Sequence, residues 1–209
     1  MENQQTKSSI DDRQPILSIA YRPRDTVRYV LDHKSFQYSL YVGIIGGFSS
    51  SLITMNGTKY PYQYSLGEVV YSSFVTSVFI FVLTNLLLAG ILSTIGAIFS
   101  GKGNFKDIFR AMCLTVIPYI WILPVILFWM QLSPDTFFHV EGYELQLGDG
   151  ILLFVLSFVV LIATLWSFFL TIITISEVHH FSKWKAFFTI ILGSIVAALV
   201  FFVIVILLF

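Results

Sequence analysis

Residues 151–176 read ILLFVLSFVVLIATLWSFFLTIITIS. Eighteen of these 26 residues are Leu, Ile, Val or Phe, and none is Asp, Glu, Lys or Arg. The run is apolar on every face, so it fits neither an amphipathic surface helix nor an alternating barrel strand. A helix crossing a hydrocarbon core of about 30 Å needs about 20 such residues. At roughly −0.3 to −0.6 kcal/mol per apolar residue near the bilayer centre, the run gains on the order of 5 to 10 kcal/mol before polar costs. It reads as a membrane span.

Four more charge-free stretches surround it. Together they predict spans over about 36–54, 70–99, 111–132, 151–176 and 186–209. The first is the weakest: eight of its nineteen residues are Leu, Ile, Val or Phe, diluted by Gly43, Gly46, Gly47 and Ser49 to Ser51. It is expected to depend on packing for its insertion. The predicted fold is all-α: a polytopic five-helix transmembrane bundle over 36–209, with short amphipathic interfacial helices on the cytoplasmic side. Composition agrees. Of 209 residues, 56% are hydrophobic and 11% charged, with a formal net charge of zero. About 25% charge is usual in soluble domains. These values exclude a nucleic-acid binder with a basic face, and a single Cys excludes an internal disulfide framework. No short apolar core precedes the first span, so no cleaved signal peptide is expected.

Lys and Arg set the orientation. Six precede the first span, three lie in the second loop (Lys102, Lys106, Arg110) and two in the fourth (Lys183, Lys185). The first loop holds only Lys59 and the third none. Cytoplasmic loops retain Lys and Arg, so the amino terminus is expected inside and the carboxyl terminus outside.

Met1 to Gln14 is polar and reads as a disordered cytoplasmic tail. The segment 15–35 carries Pro23 and Asp25 at a helix start, then Val27, Val30 and Leu31 at helical spacing. It reads as an amphipathic helix on the membrane surface, or as an extension of the first span. Tyr60-Pro61-Tyr62-Gln63-Tyr64 reads as an interfacial anchor, or as a ligand-stacking platform. In the second loop, Phe105, Ile108 and Phe109 share a helical face beside Lys106 and Arg110. That face anchors at the interface or docks a partner. Pro118 and Pro124 should kink the third span, as in inert bundles and in transporters. Small residues recur every four positions: Gly43, Gly47 and Ser51; Ala89, Ser93 and Ala97; Gly193 and Ala197. Such faces let helices approach closely, within the chain or between chains.

Polar chemistry at depth is sparse. No predicted span holds Asp, Glu, Lys, Arg or His, the residues that mark proton and ion paths. Asn85 is expected to bond to a neighbouring helix rather than to line a substrate path. Cys113 has no His partner in sequence. Glu177, His179 and His180 lack the spacing of a helical metal site, and His139 with Glu141 are no better. No catalytic, cofactor-binding or metal residue is assigned, and no cofactor is expected.

Three motifs in order carry a resemblance. Arg22-Pro23-Arg24-Asp25-Thr26-Val27-Arg28 precedes the first span. Gly101-Lys102-Gly103-Asn104-Phe105-Lys106 is followed by Pro118. Glu177-Val178-His179-His180-Phe181-Ser182-Lys183-Trp184-Lys185-Ala186 leads into the last span. With five spans and an inside amino terminus, the chain resembles the Yip family (Ypt/Rab-interacting integral membrane proteins) over about residues 15 to 209. For eukaryotic members the resemblance implies vesicle traffic and docking of Rab-type GTPases, on Golgi or endoplasmic reticulum membranes. The amino-terminal region here, about 35 residues, is more similar to the compact bacterial members. Some of those accompany ABC-type exporters in the cell membrane. The expected function is therefore a non-enzymatic membrane scaffold or accessory subunit. Its partners would be the lipid bilayer and other integral membrane proteins, with no nucleic acid. Arg24, Arg28, Lys102, Phe105, Lys106 and Arg110 are the expected contacts. The alternatives are a small-molecule or lipid passage using Asn85 and the Pro-kinked helix, or GTPase docking.

Overall fold

The computed structural model describes residues 14–56, 64–138 and 146–208, and α-helices are the regular elements among them. They are α1 (Pro15–Ser18), α2 (Pro23–His33), α3 (Phe36–Thr54), α4 (Leu66–Ile98), α5 (Phe105–Met112), α6 (Ile117–Leu132), α7 (Pro134–Phe138), α8 (Leu147–His179) and α9 (Lys183–Leu208). The tail at 1–13, most of the tyrosine run and the His139–Glu141 pair lie outside the described residues.

Local chemistry places the helix starts. Ser35 accepts a hydrogen bond from Tyr38 N at the head of α3. Ser65 and Glu68 form a reciprocal capping box at α4, and Asn104 accepts from Asp107 N at α5. These caps satisfy donors that the first turn leaves unpaired. The two 33-residue helices, α4 and α8, end in the same way. Ser100 and His180 take left-handed φ values of 64° and 55°. Gly101 N then donates to Gly96 O, and Phe181 N to Ser176 O. Both ends are Schellman turns, built here without glycine at the left-handed position.

Among the described residues, four segments are long and apolar enough to cross a membrane: α4, the stretch Phe105–Leu132, α8 and α9. Much of their apolar surface points outward, as with Phe154, Phe158, Leu161 and Leu165 of α8. In water that would be a liability, whereas in lipid it is the expected exterior. α3 packs between α4 and α6. Its small residues are used at once: a Cβ on Gly43 or Gly47 would stand 2.5 or 2.6 Å from the Phe81 ring, and one on Gly46 2.5 Å from Val116. Ser51, next on that stripe, is half-buried. Ala89 is buried and Ser93 half-buried, while Ala97 is exposed. Gly193 meets Leu92 of α4, and Ala197 is half-buried.

The third span differs from a single kinked rod. Ala111 and Met112 complete α5, residues 113–116 form turns, and α6 begins at Ile117. Pro118 occupies the first turn of α6, where no N–H is needed, while Pro124 sits inside it. Two buried hydroxyls secure the join: Ser167 of α8 donates to Thr115 O and Ser49 of α3 to Tyr119 O, both at 2.6 Å. The fourth and fifth helices also start earlier than expected, and α8 runs on to His179. Its capping pair, Gln146 with Asp149, and its turn at His180 set those limits.

The 15–35 segment is two helices rather than one. Ile19, Val27 and Val30 are fully buried, in a cluster with Val42, Leu114, Ile117 and Leu170. Its apolar face therefore packs on protein. At the opposite end of the bundle, α7 tucks Phe137 and Phe138 beneath Trp129 and Met130. Trp129 Nε1 donates to Thr136 Oγ1 at 2.9 Å, and Asn56 Nδ2 to Phe137 O at 2.7 Å.

Candidate functional site

The ends of α2, α4, α5, α8 and α9 meet at one pole, which collects every described Lys and Arg of the chain. At its centre is Glu177, in the last turn of α8, with a side chain only 3% exposed. An anion here faces the negative end of the helix dipole. Two guanidiniums of α2 neutralise it. Arg24 Nε lies 2.9 Å from Oε2, and Arg28 Nε donates to Oε1. Arg24 and Arg28 are four residues apart, so one face of α2 presents both.

Arg110 of α5 grips the same helix from its other end. It is buried, and it donates to Val30 O, Leu31 O and Lys34 O at 2.8 to 3.0 Å. Val30 O also accepts from Lys34 N, the last backbone bond of α2, so the guanidinium closes over the carbonyl end of that helix. Asp107 lies 3.7 Å from the same guanidinium. α2 is thus fastened to α8 by a carboxylate and to α5 by a cation.

His179 fills a niche of glycines. A Cβ on Gly96 or Gly101 would collide with its ring, and one on Gly103 would come within 3.0 Å of Nδ1. Gly103 N donates to Nδ1 at 3.2 Å, and Lys102 N donates to His179 O at 3.1 Å. With Nδ1 accepting, the ring proton sits on Nε2, which is buried with no hydrogen-bond partner among the described residues. Phe181 stacks on the ring with 4.9 Å between centroids. Glu177 and His179 therefore face different partners: the carboxylate holds α2, and the imidazole holds the loop after α4.

The expected contact residues divide accordingly. Arg24, Arg28 and Arg110 are engaged inside the chain. Lys102, Phe105 and Lys106 are exposed. Phe105 is 44% exposed, whereas Ile108 and Phe109 of the same helix are buried, Phe109 stacking on Phe36 at 5.5 Å. Spacing alone finds none of the internal pairings: Arg28 and Glu177 are 149 residues apart.

Away from the pole, Asn85 is 5% exposed and its Nδ2 has no hydrogen-bond partner, unlike the expected bond to a neighbouring helix. The Ser39 hydroxyl is also buried and unpartnered. Thr84 instead lines a groove of about 250 Å³ between α3 and α4, with Ser50, Ser51, Thr54 and Ser77. Cys113 is buried against Gly43.

No curated protein and no solved structure matches this sequence. A family model described as the Yip1 domain matches residues 17–206, and the chain, a multi-pass integral membrane protein by its apolar helices, belongs to that family.

Proposed function

We propose that the chain is a five-pass, non-enzymatic scaffold that binds other integral membrane proteins, with its amino terminus in the cytoplasm and its carboxyl terminus outside. The fifth pass is α3. Its 19 residues span about 28 Å, close to the hydrocarbon thickness. Its glycines and Ser49 face protein, which offsets its low apolar content. Lys and Arg gathered at one pole support the orientation.

The observation that carries the scaffold reading is the fastened pole. Glu177, Arg110 and His179, the buried ionisable groups of this pole, are each committed to holding elements together. That support leaves Lys102, Phe105 and Lys106 facing outward, an aromatic ring between two cations. A patch of this kind suits an acidic, partly apolar surface of a neighbouring membrane protein. By the likeness to compact bacterial members, we propose an ABC-type exporter in a bacterial cell membrane as that neighbour. A photo-crosslinking residue at position 105 in native membranes tests it. A crosslinked membrane protein is expected, lost on K102E/K106E. Recovery of the uncrosslinked chain alone would remove the reading.

The largely apolar groove between α3 and α4 favours a second reading, passage of a small molecule or lipid along that face. Solute flux in vesicles should then fall on Ser51→Phe.

A further inference from the structure

A furrow of about 510 Å³ runs along the outward face of α4, floored by Gly90 and walled by Leu86, Leu87, Thr94 and, from α9, Val196. From Leu86 to Thr94 it extends about 12 Å along the helix, close to one leaflet's share of the hydrocarbon core. Gly90 makes it. A Cβ on Gly43, Gly46, Gly47, Gly96 or Gly193 would collide with a neighbour, so packing within the chain accounts for those glycines. On Gly90 it would meet nothing nearer than Phe105 Cε2 at 3.9 Å. The hollow is therefore not needed for closing the bundle. Its walls are apolar in effect, because the lining hydroxyl of Thr94 donates back to Gly90 O at 3.0 Å.

Charge stands at one end of this furrow. Lys185 lies eleven residues before Val196, three helical turns along the same face of α9. Its ammonium is anchored 3.3 Å from Phe99 O, at the end of α4, and the residue is exposed. On the other bank, Phe105 borders Gly90 and Lys106 follows it, also exposed and with no ion pair among the described residues. An apolar trough with Lys185 beyond its end and Lys106 next to the ring that borders its floor matches a lipid with a negative headgroup better than a neutral lipid.

We propose that this furrow holds an acyl chain of one anionic phospholipid, whose phosphate lies between Lys185 and Lys106. This goes beyond the scaffold reading and stands or falls without any protein partner.

The test uses the full chain purified in mixed micelles of phosphatidylglycerol and phosphatidylcholine in equal amounts, with bound lipids counted by native mass spectrometry. The phosphatidylglycerol adduct is expected to predominate. K185Q and K106Q should each lower that preference roughly fivefold, the effect of one cation near an anionic lipid surface. G90L should deplete adducts of both lipids, and an unchanged melting temperature would show that it still folds, since no neighbour stands nearer than 3.9 Å to its Cβ. Equal adducts of the two lipids on the native chain, or full retention in G90L, would overturn the proposal. Displacement of the lipid by excess inorganic phosphate would overturn it too, by assigning the lysines to free phosphate.

Discussion

Replacing Arg24 and Arg28 together by Ala should strand a carboxylate inside the protein. Glu177 is almost wholly enclosed, while the two arginine side chains are 54% and 59% exposed. A hydrogen bond to a charged group contributes about 1.5–3 kcal/mol when water is excluded. Solvent reaches these guanidiniums, so screening reduces each to about 1 kcal/mol. Either arginine alone still neutralises Glu177, and each single variant should lose about 0.5–1 kcal/mol. The double variant loses both partners of a buried charge and should lose about 3 kcal/mol, more than the two singles together. Adding Glu177→Gln to the double variant removes the stranded charge and should return about 2 kcal/mol. Reversible unfolding in detergent micelles, followed through helix content, completes this cycle. A double variant as stable as the native chain, or a triple variant no better than the double, would refute the account of α2 as a helix held by charge.

The glycine niche makes a steric prediction: Gly96→Ala should destabilise by about 1–3 kcal/mol by overpacking His179, and His179→Ala in the same chain should recover part of that loss in melting experiments. At the Schellman turn of α8, His180→Gly should stabilise by roughly 1 kcal/mol, because the left-handed φ of 55° strains any residue with a Cβ. A lower melting temperature for His180→Gly would mean that the imidazole itself holds the turn. Asn85→Leu should be neutral or stabilising, since the amide Nδ2 is buried without a partner. A loss above about 1 kcal/mol would show that the amide makes a hydrogen bond, direct or through water.

The spans were legible where composition alone decides. Residues 151–176 are so apolar that only lipid or a deep core suits them, and α8 contains them all. The gathering of Lys and Arg in alternate loops anticipated the basic pole, because charge is kept on one side of a bilayer whatever the packing. The break at 113–116 was legible only in part. Pro118 disfavours helix in the residue before it, yet Cys113 to Val116 carry no turn signal, and the hydroxyls that pin the join come from α3 and α8. The latch at Glu177 was not legible at all. Arg24 and Arg28 resemble any surface arginines until the fold brings them to a carboxylate that is distant in sequence. Asn85 is a related case: a polar residue at depth should find a partner, but its Nδ2 is buried without one.

The claim on which the rest depends is that α3 crosses the bilayer despite its glycines and serines, making five passes. Compartment-specific reporters fused at the amino terminus and after Phe209 test it most directly. Activity on opposite sides of the membrane, with the amino terminus in the cytoplasm, is the predicted result. Both reporters active in one compartment would leave only the four strongly apolar segments as spans, and would contradict the orientation and the five-pass scaffold together.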